Sequence, residues 1–244
     1  MTHNVLSRGA AIMEAFDGDQ RVLSLSDLAV RTRLPRSTLH RLADQLCQVG
    51  WLEREHRGYR VGLRMFEIGT LAAQGNRLHP AALPHLQALA ARTGLAAHLA
   101  LLDQTEVVFL ERIVAGPLRV PTRRGGRKPA YCTALGKAMA AYDDDALLAV
   151  SAAPMPRRTA KTITEPAALR VELEQVREAG VALDRGEADE DLVCVAAPVR
   201  GSGPAIGAVS VTGPASLMRW NVAGEAVRAA AAAIWNASCT CPDR

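Results

Sequence analysis

Aromatic side chains are scarce in this chain, at 4% of 244 residues, with three each of Trp, Tyr and Phe. Its core therefore has to be built from Leu, Val, Ile and Ala, and 244 residues are enough for one large or two modest domains. No apolar run approaches the roughly 18 residues of a membrane span, so no partner membrane is expected. Lysine is nearly missing. Lys128, Lys137 and Lys161 are the only three, and arginine carries the remaining positive charge, which favours bidentate contacts to phosphate and guanine. The five cysteines, Cys47, Cys132, Cys194, Cys239 and Cys241, are odd in number, and no signal peptide precedes them. That excludes a disulfide framework and points to a reducing cytoplasm. Cys239-Thr240-Cys241 is at most half a metal site, with no second Cys/His pair at ligand spacing, so neither metal nor cofactor is expected.

Catalytic signatures are missing as well. There is no G-x-S-x-G elbow, HExxH or P-loop, and His3, His40, His56, His79, His85 and His98 form no triad or cluster with acids. The glycine-rich "GSGPAIG" (201–207) places Pro204 where a phosphate loop needs a donor and lies between two strand-like runs. It reads as a hairpin turn. No catalytic residue is assigned, and an enzyme is not expected.

What is present begins with a modest positive balance. Residues 1–78 hold 11 arginines against 8 acidic residues, a surplus of 3 in a chain of net charge +4. "VLSRGAAIMEAF" (5–16) sets Val5, Leu6, Ala10, Ile12, Met13 and Phe16 on a helical stripe that a charged loop, "DGDQR", ends. "LSLSDLAVRTR" predicts a short second helix with Ser26 as N-cap and Asp27 in its first turn. In "LPRSTLHRLADQLCQVG", Pro35 opens a third helix. Leu39, Leu42, Ala43, Leu46 and Val49 form its apolar stripe, and Gly50 ends it. "WLEREHRGYRV" follows as two short strands about a turn at His56, Arg57 and Gly58.

Three helices and a small hairpin in this order describe a winged helix-turn-helix, whose third helix enters the major groove of double-stranded DNA. The face opposite the apolar stripe carries Arg36, Ser37, Thr38, His40, Arg41, Asp44 and Gln45. Those donors suit base edges and phosphates, and Arg54, Arg57 and Arg60 would steady the wing on the backbone. For an isolated helix the plainer reading is a solvated face; the order of the elements favours DNA.

Residues 63–75 predict a connecting helix. A second domain opens with "HPAALPHLQALAARTG" (79–94), begun by Pro80 and Pro84 and closed by Gly94. Two strands about a turn at 103–106 come next, then the basic loop "RRGGRK" (123–128) and the helix "ALGKAMAAY". A helix over 164–180 is capped by Thr164. At least two strands and an Ala-rich final helix complete an α+β domain with a probable-pairing pattern that is antiparallel. The expected division is 1–62 for DNA binding, 63–78 for a linker helix and 79–244 for an effector-binding domain.

With "LPRSTLHRL" and "GWL", "YRVGLRMFEIG", "CTALGKAMAA", "REAGVALDRGE" and "CVAAPVRG…IGAVSVTGP" in one order over nearly the whole chain, the sequence resembles the IclR family of bacterial transcriptional regulators. The resemblance implies a winged helix-turn-helix, a linker helix and a GAF/PAS-like effector domain with a central antiparallel sheet. It also implies homodimers, often paired into homotetramers, on pseudo-palindromic operators, with a small organic effector releasing or engaging the DNA. By motif, the effector pocket would be lined by Ala134, Leu135, Asp184, Leu192, Cys194, Ser210 and Thr212. Ser210 and Thr212 lie two apart on one predicted strand and so share a face. Two alternatives stay open at these positions: the hydroxyls satisfy neighbouring backbone groups, and Asp184 caps a strand end. Cys194 and Cys132 read as small hydrophobes before they read as redox sensors.

The sequence departs from the family in two places. Arg33 stands at the turn where a glycine is usual, at a cost of about 1 kcal/mol for a left-handed residue. "RRGGRK" is unusually basic, and reads either as an attraction for an anionic effector or as a solvated surface loop. A rival function is a ligand sensor acting through protein–protein contact without specific DNA binding.

Overall fold

The structure is a computed structural model that describes residues 4–16 and 20–239. His3, part of the expected "DGDQR" loop and Cys241 lie outside the described residues. The chain divides into two compact units, Met1–Asn76 and Arg77–Arg244. The helix expected as a separate linker therefore belongs with the first unit, and the break falls at 76/77 rather than at 62 and 78.

The first unit contains α1 (Val5–Glu14), α2 (Leu25–Thr32), α3 (Arg36–Gln48), the hairpin β1 (Leu52–Glu55) and β2 (Gly58–Val61), and α4 (Leu63–Gln74). Ile12, Leu23, Leu28, Leu39, Leu42, Ala43, Leu46, Leu52 and Tyr59 form its core. The stripe predicted for α3 is buried except at its end, where Val49 is exposed beside the left-handed Gly50. In α1 the buried line runs Gly9, Ile12, Ala15 at three-residue spacing, which leaves Val5 and Leu6 in solvent. The cap of α2 is Ser24, not Ser26. Its hydroxyl accepts the Asp27 N–H at 3.1 Å while the Asp27 carboxylate accepts the Ser24 N–H at 2.8 Å, a reciprocal box that Ser26 has no acid to complete.

Gly58 is not the tip of the wing. The hairpin turns on His56 and Arg57, and Glu55 pairs with Gly58 in register. A Cβ on Gly58 would meet the Leu23 carbonyl oxygen at 2.2 Å, because Leu23 and Tyr59 exchange backbone hydrogen bonds of 2.9 Å. The glycine lets the segment before α2 lie against the wing as a short third strand.

The second unit opens with α5 (Leu78–Thr93), which runs through Pro84. Pro80 alone sits in the first turn, where a missing N–H costs nothing. Then come β3 (Ala96–Asp103), β4 (Glu106–Ile113), β5 (Arg127–Pro129), α6 (Ala134–Ala140), α7 (Asp144–Ala152) and α8 (Pro166–Ala179). β6 (Ala182–Asp184), β7 (Leu192–Val199), β8 (Gly207–Pro214) and α9 (Trp220–Cys239) complete it. The basic segment 123–128 is thus only half a loop, since Arg127 and Lys128 pair with β4. Glu165 rather than Thr164 precedes α8 and makes no side-chain cap; Pro166 fixes the first turn instead.

All pairings in the six-stranded sheet, of order β5-β4-β3-β8-β7-β6, are antiparallel. Strand alternation separates two cores. Val193, Val195, Val199, Val209 and Val211 pack on one face with α5 and α9. Cys194, Ala196, Ala208 and Phe109 face the other way, with α6 and α8. That second face carries the candidate ligand site.

Candidate DNA-reading face and ligand cavity

The apolar stripe of α3 dictates which side chains are left outside. Arg36, Ser37, His40, Arg41 and Gln45 are exposed, and Thr38 and Asp44 are half-buried. Several are held by neighbours. Arg36 donates to Ser26 Oγ at 2.9 Å, and His40 Nδ1 lies 3.2 Å from an Asp44 oxygen. Asp44 also pairs with Arg54, whose guanidinium lies 5.5 Å from the Tyr59 ring centre. Arg60 is committed to Glu53 at 2.6 Å and Glu55 at 3.3 Å, and Glu53 also accepts the Leu63 N–H. That N–H, then Arg60, holds the Glu53 carboxyl below its ordinary range. Among the described residues no side-chain hydrogen bond or ion pair occupies Ser37, Thr38, Arg41, Gln45 or Arg57. Of the three wing arginines only Arg57, at the hairpin tip, keeps its donors uncommitted.

Arg33 sits at the α2 C-cap with φ 56° and ψ 22°, its N–H bonded to the Ala29 carbonyl at 2.9 Å. The turn before α3 thus keeps the left-handed conformation with an arginine in it.

In the second unit, six of the seven residues expected at the pocket line one cavity of about 40 Å³: Ala134, Leu135, Asp184, Leu192, Cys194 and Thr212. Ser210 does not line it. It shares the strand face but lies deeper, fully buried and in register with His98 and Ala196. Thr133 caps α6 by accepting the Gly136 N–H at 3.2 Å. A Cβ on Gly136 would meet the Ala130 backbone at 2.3 Å, so the glycine lets the helix lie close to the chain that leads into it.

Sequence reasoning missed Phe109, Thr122, Lys128, Thr133, Ala188 and Asp189 in the cavity wall. It also missed His98 behind it. The His98 imidazole is buried, with Nε2 at 2.8 Å from Thr122 Oγ1 and its ring centre 5.3 Å from that of Phe109. Burial, then the charges of Arg112 and Lys128, pushes its pKa down to about 3, so the ring is neutral. Strand alternation could have placed His98 on the pocket face, two residues from the small Ala96 and Ala100.

Thr212 Oγ1 donates to Cys194 Sγ at 3.1 Å. Burial raises the Cys194 thiol to about 11, and does the same for Cys132, so both are protonated rather than reactive thiolates. Asp184 Oδ1 accepts the Gly186 N–H at 3.0 Å and the Glu187 N–H at 2.6 Å. It caps its strand end, and burial raises its carboxyl above the ordinary range. Behind α6, the buried Lys137 ammonium donates to Glu187 at 2.6 Å and Glu172 at 3.1 Å, tying the helix to the loop that carries Asp184.

Two wider clefts hold none of the seven residues. One, of about 450 Å³, runs past Arg92 and Arg219, and the other, of about 470 Å³, past Met139 and Asp145. Both are open surface grooves, whereas the small cavity gathers charged and hydroxyl groups among apolar walls. Among the described residues no cluster of three or more His, Cys, Asp or Glu side chains could hold a metal ion, and no helix is long and apolar enough to cross a membrane.

Residues 5–56 match the IclR helix-turn-helix domain, and residues 70–238 match the C-terminal domain of IclR-type bacterial transcriptional regulators. The chain belongs to the IclR family. As an IclR protein it is a DNA-binding regulator of transcription. It is 33% identical over 187 residues to the transcriptional regulator KdgR of Escherichia coli, a match covering 75% of this chain and 71% of that protein. It is 33% identical over 220 residues to the glycerol operon regulatory protein of Streptomyces griseus, covering 88% and 87%. Its fold is similar to that of an IclR homolog from Microbacterium hydrocarbonoxydans solved with 4-hydroxybenzoate, with TM-score 0.85, 32% identity, and coverage of 98% of this chain and 100% of that one.

Proposed function

We propose that this IclR regulator binds a pseudo-palindromic operator as a homodimer, with dimers able to pair, and that a small organic effector in the 40 Å³ cavity changes its hold on DNA. It acts in the cytoplasm by binding alone, without catalysis. The carrying observation is the divided surface of α3, with Leu39, Leu42, Ala43 and Leu46 inside and Ser37, Thr38, Arg41 and Gln45 outside and uncommitted. Two such helices enter successive major grooves, centred one helical turn or a multiple apart, while Arg57 and Arg54 meet flanking phosphates. Arg54 leaves Asp44 to do so. The effector acts by binding the two arrangements of the dimer with different affinity.

A similar regulator solved with 4-hydroxybenzoate supports a small-molecule role for the second domain. The cavity here is much smaller than the ~150 Å³ that admits a benzene ring. A ligand of aromatic size would enter by displacing its walls.

Fluorescence anisotropy against duplexes tiling the chain's own upstream region, at two salt concentrations and with a shuffled control, tests the reading. Selective binding is expected, and Arg41→Ala should weaken it by roughly 10- to 100-fold, the worth of one good base contact. Equal, salt-erased binding to every duplex, or an unchanged Arg41→Ala variant, would refute the placement of the reading face.

A further inference from the structure

We propose that the ligand of the cavity is a small organic monocarboxylate and that Lys128 is the residue that reads its charge. The proposal rests on the cavity being the effector site and adds the chemical class of what enters.

The basic segment that leads into the cavity divides by strand parity. Arg127 and Lys128 are neighbours on β5, so their side chains leave opposite faces of the sheet. Arg127 is exposed and satisfied by Asp103 at 2.5 Å and Glu106 at 3.3 Å. Arg124, also exposed, reaches Glu111 at 3.5 Å and the Leu110 carbonyl at 3.3 Å. Lys128 turns the other way. It is half-buried, lines the cavity, and among the described residues makes no hydrogen bond or ion pair. Its charge is felt at His98 and at Cys194, on the cavity's inner side.

An ammonium without a counter-charge between Phe109, Leu135 and Leu192 has given up water and received nothing in return. The two acids that face the same space do not supply the missing partner. Asp184 is turned to the N–H groups of Gly186 and Glu187, and Asp189 accepts the Asp191 N–H at 3.1 Å. His98 is neutral and adds no second cation. One unmatched positive charge, with the Thr122 and Thr212 hydroxyls nearby, suits a singly charged carboxylate. A phosphate dianion would bring a second negative charge close to two carboxyl groups with nothing to balance it. The apolar remainder of the wall suits a hydrocarbon body, short where the space is about 40 Å³.

The test uses the full chain and three acids of increasing size, acetate, butyrate and benzoate, each against its primary amide, with inorganic phosphate alongside. Binding is read by calorimetry and by the rise in melting temperature. At least one acid is expected to bind saturably, with its amide and phosphate far weaker. Lys128→Met and Lys128→Gln should each lose roughly 10- to 100-fold in affinity for that acid, the worth of one hydrogen bond to a charged group, and Lys128→Arg should keep most of it. Leu192→Trp, which fills the cavity from its half-buried rim, should abolish binding.

Acid and amide binding equally, with both neutral variants unchanged and Leu192→Trp silent, would overturn the role of Lys128 and leave the cavity as the ligand site. Binding that survives Leu192→Trp would remove the cavity reading itself. A wild-type chain that answers to none of the three acids would overturn the monocarboxylate assignment.

Discussion

Arg33 holds a left-handed backbone, at φ 56°, that a side chain makes unfavourable. Its side chain is exposed, so exchanging it for glycine removes the penalty without opening a hole. Arg33→Gly is expected to stabilise the first unit by about 0.5–1 kcal/mol, part of the gain being returned as extra freedom of the unfolded chain. A thermal melt that shows no rise would mean the turn relaxes at no cost. His98 makes a second prediction. Its folded pKa of about 3 lies below the ordinary 6.5, so between those values the unfolded chain binds a proton that the folded chain refuses. Its contribution is whole above pH 6.5 and is lost as pH falls toward 3, by at most ~1.4 kcal/mol per pH unit. Asp184 and Glu187, raised by burial, act with the opposite sign, because folding favours their protonated forms. The comparison is therefore with His98→Gln: between pH 6.5 and 5 the wild type should lose stability relative to the variant in urea melts. Parallel curves would mean that the imidazole is not held neutral.

Among the elements, α2 shows how a local signal can be read one step out of place. Ser24 and Ser26 both precede an apolar run, but only Ser24 has an acid three residues on. Ser24→Ala is expected to cost about 1 kcal/mol, the usual worth of a helix cap, while Ser26→Ala costs a few tenths. Equal losses in chemical denaturation would show that the reciprocal bonds of Ser24 and Asp27 carry no weight. The three helices and hairpin of the first unit were legible because each carries its own period and its own stop. Less was legible in the second unit. α7 and the three-residue β6 escaped notice, since Asp143 as a cap and a short strand between a helix and a loop leave weak traces. Pro84 looked like a boundary and proved to lie inside α5, where the packing of Leu78, Ala82, Leu86 and Leu89 overrides a missing N–H.

For the whole molecule, the break between α4 and α5 predicts where the native chain is cut. Limited trypsin digestion should cleave first after Arg77, giving two fragments that resist further digestion. Early cuts scattered through either unit would contradict two compact bodies. The cavity is a whole-molecule property too. Lys128 belongs to β5 and Asp184 to β6, the two edges of a six-stranded sheet. In a flat sheet, with strands about 4.8 Å apart, those edges would lie roughly 24 Å from one another. Both line a single cavity of about 40 Å³, so the sheet curls until its edges share a wall.

The sequence by itself determined the helices of the reading head, the apolar side of α3 and therefore its polar side, because periodicity and caps act between residues a few positions apart. It also carried the motifs whose resemblance named most of the cavity wall. Tertiary structure alone decided that Ser210 lies too deep to line the cavity, that Arg60 is taken up by Glu53 and Glu55, and that Lys128 stands unmatched among apolar neighbours. Burial and charge pairing depend on residues brought together from distant parts of the chain, and no local pattern records which of them will meet.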